Sequence, residues 1–227
     1  MIILHIETST NVCSIAISEN GKCIFSKANF DGMSHAALLS VFIKEALDEI
    51  KMSSKVIDAI AVSSGPGSYT GLRIGVSTAK GLCFGLDIPL ISVSTLEVLT
   101  TSAFSNVSSS ENTLFCPMID ARRMEVYDAL YNANGEIMRE ISADIIDENS
   151  FLEYLSNNQV YFFGNGAEKC KSILTHSNAH FIDNLNPLAE NMIRLAEKAY
   201  LKKEFVDVAY FEPFYLKEFY TTSKKIE

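Results

Sequence analysis

One glycine-punctuated stretch constrains this fold more than any other. It reads Ser63-Ser64-Gly65-Pro66-Gly67-Ser68-Tyr69-Thr70-Gly71-Leu72-Arg73-Ile74-Gly75 and runs on through residues 76–86. The short, β-branched, apolar run 57–62 that enters it reads as a buried strand. Gly-Pro-Gly then breaks the strand, since glycine admits positive φ and proline fixes φ and lacks an N–H. Either Ser68 or Thr70 can cap the following helix by accepting from an orphan N–H. A phosphate loop needs glycines or a Gly-Lys-Ser/Thr triplet at spacings absent here, and no G-x-S-x-G elbow occurs. Gly71, Gly75, Thr78, Leu82 and Gly85 fall on one helical face. Each mid-helix glycine costs about 1 kcal/mol against alanine. So many on one face imply a closely approaching backbone, belonging to the chain's own sheet or to a partner's helix.

The flanking segments set the fold class. Residues 2–6, 12–18 and 22–28 form an antiparallel meander, with Asn20-Gly21 as a hairpin turn. A helix over 34–51 follows, with Ser34 as its expected cap. Its apolar residues Leu38, Leu39, Phe42, Ile43, Ala46, Leu47 and Ile50 cover a wider arc than one core contact needs. After the glycine unit come a strand at 88–93 and a helix to 103. The first hundred residues thus read βββ-α-β-α-β-α, a mixed sheet with helices on its faces. The Ser/Asn/Thr-rich segment 102–113 is a connection. Beyond it come a strand at 113–119, a hairpin of 124–131 and 136–146, and a helix at 147–155. A strand at 159–163, a helix at 167–174, a strand at 179–182 and a helix at 188–202 complete the order, a shortened repeat of the first half.

Composition excludes several classes. The net charge of −9 over 227 residues argues against general attraction to nucleic acid, so any RNA contact needs a local basic patch or a basic partner. No apolar run is long enough to span a membrane, and residues 1–5 are too short for a signal sequence. Five cysteines with no C-x-x-C pair read as free thiols in a reducing cytoplasm.

The stretch G-P-G-S-Y-T-G-L-R-I-G-V-S-T-A-K-G-L resembles the signature of bacterial TsaB (YeaZ) proteins. The opening I-L-H-I-E-T-S, Asp120-Ala121-Arg122-Arg123-Met124-Glu125-Val126-Tyr127, Gly164-Asn165-Gly166-Ala167 and Pro213-Phe214-Tyr215-Leu216-Lys217 extend the resemblance over essentially the whole chain. It implies an α/β protein of two ribonuclease-H-like, actin-like halves, 1–104 and 105–227, each a mixed sheet flanked by helices. It also implies a non-catalytic subunit that pairs with TsaD, and with the ATPase TsaE, for threonylcarbamoyl modification of the adenosine beside the anticodon in tRNA. On that basis the partner interface is expected at Leu39, Phe42, Ile43, Ala46, Gly71, Gly75, Thr78 and Leu82, with a homodimer through the same face in isolation.

In actin-like enzymes, carboxylates of the two halves face each other across a Mg-nucleotide cleft. Glu7 and Asp120 are the candidates here, although Glu7 stands where the family opening usually has Asp. No tightly bound cofactor is expected, with ATP or ADP at most in the assembled complex. The related TsaD carries a metal-binding histidine pair where this chain has Thr95 and Leu99, so no metal is expected there. His176 and His180 have helical ligand spacing in a segment that does not read as helix, and His5 reads as a core or cleft histidine. The alternative from another class is a stand-alone nucleotide-hydrolysing enzyme or a glycoprotease-like peptidase.

Overall fold

A computed structural model describes residues 1–32, 35–108 and 110–217. The expected cap Ser34 lies outside them. Two five-stranded sheets share one connectivity. In the first, β1 (Ile2–Glu7), β2 (Cys13–Glu19) and β3 (Lys22–Asn29) form the antiparallel meander. After α1 (His35–Met52), β4 (Ala59–Gly65) pairs parallel with β1. After α2 (Tyr69–Leu86), β5 (Leu90–Ser94) pairs parallel with β4. The strand order is β3-β2-β1-β4-β5. Helix α3 (Thr95–Ala103) leads to the second sheet. There β6 (Thr113–Asp120), β7 (Glu125–Asn132) and β8 (Ile137–Ile145) repeat the meander. After the single-turn α4 (Leu152–Leu155), β9 (Gln159–Phe163) and β10 (Ala179–Ile182) add in parallel. This is the duplicated, actin-like arrangement.

Strand alternation sorts the cores. Ile2, Leu4 and Ile6 of β1, with Ile60 and Val62 of β4, pack under α1 and α2. Their sequence neighbours Ile3, Ala59 and Ala61 face the other way, onto Val98 of α3 and onto Met192 and Ala196. The opposite side of α3, Leu96, Leu99 and Ala103, packs on Phe115, Tyr131 and Phe163 of the second sheet. Helix α3 therefore lies between the sheets.

Several expected elements differ. Strand β4 runs three residues past Val62, because Gly65 at φ 111° carries a bulge that keeps pairing with Ser94. The expected helix 147–155 shrinks to α4, since the Asp147 side chain accepts from Asn149 N and Ser150 Oγ and holds a turn. The expected helix at 167–174 is a 3-10 turn, Glu168–Cys170. That at 188–202 is a 3-10 turn, Ala189–Met192, followed by α5 (Ile193–Lys202). The division at 104/105 assigns the C-terminal stretch to the second half. Instead α5 packs on the first sheet, Val206 bridges to Leu90, and Phe214 N donates to Ser64 O at 2.7 Å.

The α2 glycines resolve the choice left by the sequence. A Cβ on Gly71 would lie well inside van der Waals contact of Thr8 O, and one on Gly75 inside that of Thr8 Oγ1. The closely approaching backbone is therefore the chain's own β1–β2 turn. The structure corrects the expected interface at six of eight positions: Leu39, Phe42, Ile43 and Ala46 are buried in the first core, and Gly71 and Gly75 are buried against Thr8. Only Thr78 and Leu82 keep partial exposure. Gly75→Leu is expected to lower unfolding free energy by about 1–3 kcal/mol or more in urea denaturation. Gly81→Ala, with nothing within 4 Å of the added carbon, should raise it by about 0.5–1 kcal/mol.

Candidate functional site

The cleft between the halves has a volume of about 620 Å³. Its first-half wall is the turn after β1 (Ser9, Thr10, Asn11) and the start of α2. Ser68 caps α2, its Oγ accepting from Gly71 N at 3.3 Å. Its second-half wall is the β6–β7 turn, Asp120 to Glu125, with Tyr127 and Asn165. A C-terminal strap crosses the mouth. Lys80 of α2 donates to Ala209 O and Phe211 O at 3.1 and 2.9 Å, Tyr215 lies against Tyr69 with ring centroids 4.9 Å apart, and Lys217 pairs with Glu125.

The two candidate carboxylates do not face each other. Asp120 lines the cleft but is paired with Lys169 and accepts from Arg122 N at 3.0 Å. Glu7 is fully buried and is not part of the cleft wall. Its Oε1 accepts from Ser9 N at 2.6 Å, and its Oε2 has no hydrogen-bond partner. Burial pushes its carboxyl up to about 7, against weaker pulls from Ser9, Ser63 and Thr8. A carboxyl buried away from the cleft, which holds its proton up to about pH 7, and a lysine-paired aspartate do not suit Mg²⁺, which is held through one or two carboxylates plus substrate phosphates in tight octahedral geometry. The cleft residues thus do not fit the metal-nucleotide of actin-like enzymes.

The histidines are engaged separately. His5 is buried beside Ser18 Oγ at 2.8 Å, and burial drives its pKa down to about 3. It is a core residue. His176 Nδ1 accepts from Asn178 N, whereas His180 stacks on Tyr161 and meets Gln159 Oε1. Thr95 and Leu99 are fully buried on α3.

A second surface lies on the outer side of α1 and α2. Ile74, Thr78 and Leu82 are half-buried there, and Gly81 and Gly85 leave the helix backbone bare. Phe84 is 85% exposed. Ile74 shares a shallow groove of about 390 Å³ with Ala36 and Ala37 of α1. Sequence reasoning missed Gly81 and Phe84, which lie to one side of the arc carrying Gly71, Gly75, Thr78, Leu82 and Gly85. It also missed Arg122, Arg123, Tyr127 and the strap as cleft residues, although D-A-R-R was the available signal.

Comparison with known proteins identifies the family. The chain is 31% identical to the tRNA threonylcarbamoyladenosine biosynthesis protein TsaB of Haemophilus influenzae, over 98% of this chain and 96% of that one. It is 31% identical to the protein of the same name from Bacillus subtilis, over 100% and 99%. It belongs to the TsaB family. The family model of TsaD, tRNA N6-adenosine threonylcarbamoyltransferase, also matches, over residues 31–222. A crystal structure of a Pseudomonas aeruginosa protein similar to peptidase YEAZ superposes with a TM-score of 0.80 at 29% identity, covering 95% of this chain and 99% of that one. The TsaB kinship therefore spans both halves and the strap. Among the described residues no helix is long and apolar enough to cross a membrane.

Glu7 makes stability pH-dependent with a definite sign. The folded state holds its proton more tightly than the unfolded chain, whose carboxyl titrates at the ordinary 4.5. The contribution is full below pH 4.5 and is lost as pH rises through about 7. His5, depressed from 6.5, acts oppositely: its contribution is present above pH 6.5 and is lost as pH falls toward about 3. Comparing wild type with Glu7→Gln cancels the His5 contribution. Between pH 5 and 8, wild type should lose about 2–3 kcal/mol relative to Glu7→Gln in chemical denaturation.

Proposed function

We propose that this chain is a non-catalytic subunit of the machinery that forms threonylcarbamoyladenosine in tRNA. It pairs with TsaD and holds it in a competent state. The observation that carries this reading is kinship with TsaB-named proteins over nearly the full length of both chains. The chemistry of the cleft supports it. Glu7 is buried away from the cleft and Asp120 is neutralised by Lys169, so a general base or metal-bound nucleotide has no free carboxylate pair to act through.

The pairing face is the outer side of α1 and α2, around Ile74, Thr78, Gly81, Leu82 and Phe84. Small residues let a partner helix approach the α2 backbone, and the exposed Phe84 supplies an apolar anchor. TsaD occupies this face in the working complex, and a second copy of the chain occupies it in isolation. TsaE joins the pair, and any ATP or ADP belongs to that assembly, in the cytoplasm.

The test is reconstitution. TsaD and TsaE with a tRNA substrate should form the modified nucleoside when this chain is present and fail without it. An equal yield in both reactions overturns the reading, and turnover of ATP or peptide by the chain alone favours the enzymatic one. Gly81→Arg places bulk in open space and should leave the melting temperature within a few degrees of wild type. The same variant should weaken TsaD binding by about 30-fold or more in titration calorimetry, as expected for a hot-spot loss above ~2 kcal/mol.

A further inference from the structure

The cleft holds more cation than its carboxylates neutralise. Asp120 is paired with Lys169 and Glu125 with Lys217. Arg122 and Arg123 line the same cleft, are exposed, and have no ion-pair partner among the described residues. The turn presenting them is braced, with Arg122 N donating to Asp120 Oδ1 and Glu125 N to Arg122 O at 3.1 Å. On a chain of net charge −9 this local positive excess is not part of a generally basic surface. Three tyrosines line the same cleft: Tyr69, Tyr127 and Tyr215.

Guanidinium groups beside partly exposed aromatic rings form the recognition chemistry of single-stranded RNA. Arginine takes the backbone phosphate through its planar fork, and an aromatic face takes an unstacked base. A free nucleoside triphosphate would bring Mg²⁺, and the cleft has no unneutralised carboxylate to receive it. A phosphodiester strand carries one charge per phosphate and needs only the cations. We infer that the cleft mouth is an RNA-contact site, in which Arg122 and Arg123 hold strand phosphates and a tyrosine face packs on an unstacked base. This rests on the reading that the chain works on tRNA, and it assigns that contact to the β6–β7 turn rather than to the α1–α2 face.

The test uses the chain assembled with TsaD and fluorescently labelled tRNA, followed by anisotropy across a salt series. The double variant Arg122→Gln/Arg123→Gln should bind tRNA about 10-fold or more weakly near physiological salt. Its plot of log affinity against log salt should be shallower by about 1.4, at ~0.7 for each lost phosphate contact. Arg122→Lys/Arg123→Lys, which keeps the charge, should recover most of the slope. Co-elution with TsaD and the melting temperature should be unchanged in both variants. Equal affinity and slope for wild type and the glutamine variant overturn the inference. So does a loss confined to ATP binding with tRNA affinity intact, which marks a nucleotide site instead. Failure of wild type to stimulate TsaD in the separate modification assay would overturn the functional reading.

Discussion

The first half depends on how the turn after β1 seats against the start of α2. Thr8 Oγ1 donates to Gly71 O at 2.8 Å, Ser68 N donates to Ser9 O at 2.6 Å, and Ser9 N donates to Glu7 Oε1 at 2.6 Å. The Thr8 and Glu7 bonds lie in the interior, where an unmade one costs about 1–3 kcal/mol. They form only if the helix carries no side chain at positions 71 and 75, so the two glycines are a steric condition of the seat. With α2 held down at its N-terminus, Val76, Ala79 and Cys83 reach the first core. The C-terminal part of the same helix presents Gly81, Phe84 and Gly85 outward.

That geometry explains what could be read in advance. The meander, the glycine unit and the duplicated order follow from local patterns: period-two alternation, Asn20-Gly21, and the break at Gly65-Pro66-Gly67. The facing of the glycines does not. A helical wheel projects Gly71, Gly75, Thr78, Leu82 and Gly85 onto one arc but discards position along the axis. The Thr8 turn reaches only the first two turns, so the same arc is interior at Gly71 and open at Gly85. For α1, the wide apolar arc is largely spent on the chain's own core, with Leu38 and Leu47 at its half-buried margins. Glu7 was legible as an acidic residue at a strand end, but its full burial beside Ser9 and Ser63 was not. The strap has no periodicity at all, and its course is set by distant partners, Lys80, Ser64 and Glu125.

The outer helical face and the cleft are physically joined. Lys80 projects from α2 to the strap carbonyls of Ala209 and Phe211, and the strap continues past Tyr69 to Glu125 in the second half. A partner resting on α2 therefore touches the same element that borders the cleft. On the proposed reading, the pairing face and the RNA contact thus lie on one continuous surface.

Hydrogen exchange on the chain, alone and with TsaD, tests the central claim that the outer side of α1 and α2 is the pairing face. Amides in residues 73–86 and 36–48 should exchange more slowly when TsaD is added, with those of the exposed strand β8 unchanged. Protection at β8 with residues 73–86 unaffected would contradict the account.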